Sequence, residues 1–111
     1  MTSIFATSNT TWGIVQRAMA KSSDAISREV TIINELGLHA RAAAKIAALA
    51  QKAESRIWLV KNEEKADASS ILDMLTLACP NGTKIMISAD DHSDIKILDS
   101  IIELVQRGFE E

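Results

Sequence analysis

The chain has 111 residues, of which 47% are hydrophobic and 24% charged, with a formal net charge of −3. That length suits one ordinary domain and is too short for two independent cores, while the apolar-to-charged balance is that of a soluble globular protein. The slight acidity, with no run of Lys or Arg, argues against nucleic acid as the main partner, because such binders usually carry a basic face or tail.

Cys79 is the only cysteine, so no internal disulfide can form and nothing marks an oxidising compartment. It reads as a small buried apolar side chain, since no basic group lies close in sequence to activate its thiol. No apolar stretch approaches the roughly 20 residues of a membrane-spanning helix. Polar residues 7–11 interrupt the place where a secretory signal would be apolar, and no basic residue precedes Arg17. The expectation is a cytoplasmic, monomeric protein without direct membrane insertion.

Residues 1–27 are rich in Ser, Thr and Ala and show no sustained period. They read as a poorly ordered N-terminal extension, with residues 28–111 as the folded domain; Met19 is a second candidate for the initiating residue. Residues 29–34 alternate, with Val30 and Ile32 on one face, as a strand does. Residues 35–38 make a turn, and His39 opens an Ala-rich run over 40–53 whose stripe of Ala43, Ile46, Ala47, Ala50 and Ala53 predicts a helix lying on a sheet.

Residues 56–61 form a second strand, with Ile57 and Leu59 on one face and Trp58 and Val60 on the other. A tight turn over 62–64 leads to a short third strand near 65–67. Ser69 or Ser70 caps a second helix whose buried or partner-facing stripe is Ile71, Leu72, Leu75 and Ala78. Pro80-Asn81-Gly82 breaks the chain, residues 84–89 alternate as a fourth strand, and a last helix runs over 94–107 with Gly108 ending it. The order β-α-β-β-α-β-α, with an antiparallel pair across 62–64, describes an α+β open-faced β-sandwich: a four-stranded antiparallel sheet covered on one face by three helices. A ferredoxin-like fold is the close rival.

Chemistry concentrates in Gly37-Leu38-His39-Ala40-Arg41, between a strand and a helix start. A helix N-terminus presents unpaired amides and the positive end of the macrodipole, which together receive anions. His39 sits at or beside the cap, and Arg41 adds a cation whose donors suit phosphate oxygens. A neutral imidazole is a competent nucleophile. A phosphoryl group on its ring would find its charge met by Arg41 and the amides of residues 40 and 41. The plainer alternative is a polar cap with no chemistry. His92, in an acidic loop with Asp90 and Asp91, reads as solvated surface. With no third ligand near either histidine, neither a metal site nor a cofactor is expected.

The run 37–43, Gly-Leu-His-Ala-Arg-Ala-Ala, resembles the active-site signature of the HPr family of phosphocarriers, Gly-(Leu/Ile)-His-(Ala/Thr)-Arg-Pro-Ala. The run 70–77, Ser-Ile-Leu-Asp-Met-Leu-Thr-Leu, resembles a second segment of that family, Ser-Ile-Met-Gly-Val-Met-Ser-Leu. The resemblance covers residues 28–109. It implies a carrier and not an enzyme, with His39 taking a phosphoryl group from phosphorylated enzyme I and giving it to an enzyme IIA-type acceptor domain. It implies that Arg41 supports the phosphohistidine and that Ser70 is the target of a regulatory HPr kinase/phosphorylase. Docking through the first two helices is expected to use Ala44, Lys45, Ala48, Gln51, Ile71, Leu72 and Leu75; core packing is the alternative for the last three. Three residues depart from the family pattern: Ala42 for the usual proline, Ser69 where Lys is frequent and Asp73 where Gly is common. A mainly regulatory protein working through Ser70, or one serving a nitrogen-related branch of the pathway, is the alternative to sugar transport.

Overall fold

The computed structural model describes residues 25–111. Strand β1 (Ile26–Thr31) is followed by helix α1 (Ala40–Ala50), strands β2 (Ile57–Lys61) and β3 (Glu64–Asp67), helix α2 (Ile71–Leu75), strand β4 (Lys84–Ala89) and helix α3 (Ile95–Gln106). Single 3-10 turns precede and follow α3, at His92–Asp94 and Gly108–Glu110. The four strands form one antiparallel sheet in the order β1-β4-β2-β3, and the expected α+β open-faced sandwich is the fold observed. Among the described residues no helix is long and apolar enough to cross a membrane.

The sheet is two-faced because its strands alternate. Val30, Ile57, Leu59, Ala66, Ile85, Ile87 and Ala89 are buried on the face that the helices cover. Their neighbours Glu29, Lys65, Lys84 and Met86 are exposed, and Trp58 and Val60 half-exposed, on the other. On that open face Lys65 stacks 4.2 Å from the Trp58 ring centre, and the Trp58 indole N–H donates to Asp90 Oδ1. Helix α1 offers the core mostly methyl groups, with Ala42, Ala43, Ile46, Ala47 and Ala50 all buried, so it can lie close to the sheet. Leu98, Ile101 and Val105 of α3 fill the rest, with Phe109 fully buried beyond them.

Several expected boundaries move. β1 starts at Ile26, ahead of both the expected strand over 29–34 and the expected domain start at 28, because Ile26 pairs with Ala89 at the end of β4. The expected extension lies outside the described residues as far as residue 24. α1 stops at Ala50 and not at 53: the amides of Lys52 and Ala53 bond three residues back, closing it with tight turns. α2 is one short segment, ending before Ala78, which is exposed with φ 53. Met74, absent from the expected stripe, is the residue it buries, and Leu77 is buried just beyond its end. α3 runs one residue short of the expected 94–107 at each end, with Asp94 and Arg107 as its caps and Ile97 and Ile102 half-buried. The alanine standing in for proline is fully buried inside α1, whose start is intact.

Candidate functional site

His39 is the N-cap of α1, with extended backbone (φ −92, ψ 179), and its Nδ1 accepts a hydrogen bond from the Arg41 amide at 3.2 Å. Two contacts hold this cap. The Leu38 amide donates to the Cys79 carbonyl at 2.8 Å and the Leu38 side chain is buried. Gly37, at φ +68, lies so close to the 79–80 backbone that a Cβ there would stand 2.5 Å from the Cys79 oxygen. Glycine is therefore required twice over, for its dihedral and for its missing side chain.

The other ring nitrogen has a partner that no sequence motif announces. His39 Nε2 lies 2.5 Å from Glu111 Oε2, and Glu111 Oε1 accepts from the Asn34 side-chain amide at 3.0 Å. The same Asn34 nitrogen donates to the Gly37 carbonyl at 2.7 Å. With the Arg41 amide pointing at Nδ1, the ring proton belongs on Nε2, facing the carboxylate. The Asn34 bond, more than His39 or Arg41, holds the Glu111 carboxyl below the usual carboxylate range against the opposing effect of burial. Lys45 donates to the Phe109 carbonyl at 2.6 Å, fastening the turn that carries Glu111 to α1. Asn34, His39 and Glu111 line an open depression of about 620 Å³ together with Arg41 and Leu36.

The remaining expected residues divide. Ser70 is the N-cap of α2, its hydroxyl accepting from the Asp73 amide at 3.1 Å; Ser69 instead donates its hydroxyl to Asp67. Of the docking set, Ala48, Gln51, Ile71 and Leu72 are exposed, Leu72 by 79%, whereas Ala44 and Leu75 are half-buried. Lys45 is half-buried and engaged with Phe109. Cys79 is buried, and burial pushes its thiol pKa up despite Lys61. Among the described residues no cluster of three or more His, Cys, Asp or Glu could hold a metal ion.

Residues 26–107 match the family model described as PTS HPr component phosphorylation site. The chain belongs to the HPr family of phosphocarriers. It is 42% identical to the phosphocarrier protein NPr of Shewanella violacea over 86 residues, covering 78% of this chain and 94% of the relative. It is 35% identical to the phosphocarrier protein HPr of Cupriavidus necator, covering 78% and 97%. Among solved structures, HPr-C-His from Thermoanaerobacter tengcongensis superposes with a TM-score of 0.67 at 34% identity, over 78% of this chain and 97% of that one. An HPr-type carrier conveys a phosphoryl group and does not turn over a substrate of its own.

Proposed function

We propose that His39 accepts a phosphoryl group at Nδ1 from phosphorylated enzyme I and passes it to an enzyme IIA-type acceptor. The observation that carries this reading is the orientation of the ring. Nδ1 presents its lone pair to the amide end of α1 while Nε2–H is held by Glu111. In the transfer, the Nδ1 lone pair forms the new P–N bond as the donor's P–N bond breaks and its electron pair returns to the donor nitrogen. The proton on Nε2 stays. The phosphoryl oxygens then lie where the Arg41 amide and guanidinium and the dipole of an eleven-residue helix oppose their charge. No acidic residue in the first turn works against them.

Partner docking fits the surface that α1 and α2 share. Ile71 and Leu72 project from α2, which packs against α1, and exposed apolar side chains of that size suit a protein interface. Ala48 and Gln51 extend the exposed surface of α1.

A kinase-driven role at Ser70 is the weaker reading, because its surroundings are already anionic. Asp73 accepts from the Asp67 amide, Asp67 accepts from Ser69, and both carboxylates flank the cap. Incubation with enzyme I and labelled phosphoenolpyruvate tests the proposal. Acid-labile label is expected on the wild type and absent from His39→Ala, and a wild type that takes no label from several enzyme I proteins sinks it. Label from ATP and a kinase, lost in Ser70→Ala, would reverse the ranking.

A further inference from the structure

Asn34 is an oddity of the core. It is only 7% exposed, and its Oδ1 is buried with no hydrogen-bond partner. A half-satisfied buried amide costs stability that an apolar side chain in its place would not. Both bonds that it does make lead to His39. One braces Gly37, whose carbonyl also accepts the His39 amide at 2.9 Å. The other holds the carboxylate that meets His39 Nε2.

We infer that Asn34 is a positioning residue for the phosphoryl-accepting histidine: it fixes the Glu111 carboxylate against Nε2, which keeps the ring proton there and leaves Nδ1 as the unprotonated nucleophile. The inference rests on the carrier reading and deepens it. Apart from His39 itself, Asn34 is the one residue that hydrogen-bonds the Glu111 side chain among the described residues. Glu111 follows Phe109 and Glu110, two non-glycine residues at φ 59 and 63, a conformation that costs energy and persists only where contacts enforce it. Burial of Phe109, the Lys45 bond and the Glu110 and Glu111 amides, which donate to the Arg107 and Gly108 carbonyls, anchor the backbone of that turn but not the Glu111 side chain. Asn34 supplies the last fixed point. Its bond is also the largest of the effects that lower the Glu111 pKa, and a carboxylate is a strong acceptor for an imidazole N–H.

The test is a double-mutant cycle on the full chain with Asn34→Ala, Glu111→Ala and the pair, read by ring nitrogen chemical shifts of His39 and by single-turnover phosphorylation from enzyme I. Each single variant is expected to raise the share of ring with its proton on Nδ1. Each should also slow transfer about tenfold, the scale of losing a group that orients a reactive imidazole, while the KM for enzyme I stays put. The double variant should be no slower than Glu111→Ala alone, since Asn34 acts through that carboxylate. Independent, multiplying losses would overturn the inference, as would wild-type ring shifts in Asn34→Ala. Asn34→Asp preserves the side chain's shape while replacing both donors with a charge that repels Glu111, so it gives the same readout if the alanine variant does not fold. A wild type that never takes label defeats the carrier reading instead, and the ring shifts still report on Asn34.

Discussion

The starts of α1 and α2 are the same backbone device in opposite electrostatic settings. Each begins at an extended residue whose side chain accepts an amide from the first turn, His39 from Arg41 and Ser70 from Asp73. At α1 the first turn carries no acid and Arg41 stands beside the cap. At α2 the first turn holds Asp73, and Asp67 lies against Ser69. The Ser69 hydroxyl and amide, with help from Arg56, hold the Asp67 carboxyl below its usual range. α2 is also only five residues long and contributes little dipole. Under the proposed function, a capped helix start serves as an anion site only where the neighbouring charges leave room for one. Glu111 does not contradict this, for it binds the ring nitrogen that faces away from the α1 amides.

If the α1 start depends on its backbone approach to Cys79, the sharpest way to break the comparison is at Gly37. Gly37→Ala meets the Cys79 oxygen at 2.5 Å and the Pro80 Cα at 2.8 Å on top of a left-handed backbone, so a loss of about 3–5 kcal/mol in chemical denaturation is expected. Gly82, beyond the exit of α2, also has a positive φ but nothing within 4 Å of its would-be Cβ. Gly82→Ala should lose only about 1–2 kcal/mol. Equal losses at the two glycines would mean that the close approach at Gly37 does nothing beyond its dihedral.

A third helix start sharpens the contrast from another side. Asp94 precedes α3 but makes no bond to that helix's own first turn; its carboxylate accepts the Glu54 and Ser55 amides and the Ser55 hydroxyl, tying the α1–β2 loop to α3. Burial pushes its pKa up, yet these three bonds outweigh burial and the folded value is lowered. A lowered folded pKa contributes stability that is complete above the unfolded value of about 3.9 and is lost as pH falls through the folded one. Asp94→Asn should thus cost about 2 kcal/mol at pH 7, the scale of hydrogen bonds to a charged group. The gap from wild type should narrow in urea denaturation near pH 3; a gap that is constant with pH would show that the charge on Asp94 plays no part.

How much of this was legible in the sequence depends on the range over which a feature is specified. β4 matches its expected span of 84–89 because strict alternation is a local signal. His39 at the cap and Gly37 in a left-handed turn follow from residue types within five positions. The ends of α1 and α2 were not legible, since neither stops at a glycine or proline; their last amides turn back in tight bonds that any side chain allows. Met74 escaped because a five-residue helix is too short to show a period, and the exposed Ile71 and Leu72 beside it are equally apolar. Asn34 and Glu111 were invisible for a different reason. They stand 77 residues apart in a contact that only the closed fold creates, and Asn34 falls where strand alternation suggested one more residue of β1.

The smallest effect probes the α2 start directly. Ser70→Asp keeps a good N-cap, since aspartate caps about as well as serine, and adds a charge beside Asp67 and Asp73. Were the two helix starts electrostatically alike, the new carboxylate would be neutral or stabilising through the dipole. With two aspartates already in place, a loss of about 0.5–1 kcal/mol at low salt is expected instead, shrinking as ionic strength rises. Asp73→Asn in the same background should recover most of it, because the amide oxygen can still accept from Asp67 while the repulsion is removed. A Ser70→Asp protein as stable as wild type at low salt would show that the acidic surround tolerates a further negative charge. The case for regulation by phosphorylation at Ser70 would then rest on kinase recognition alone.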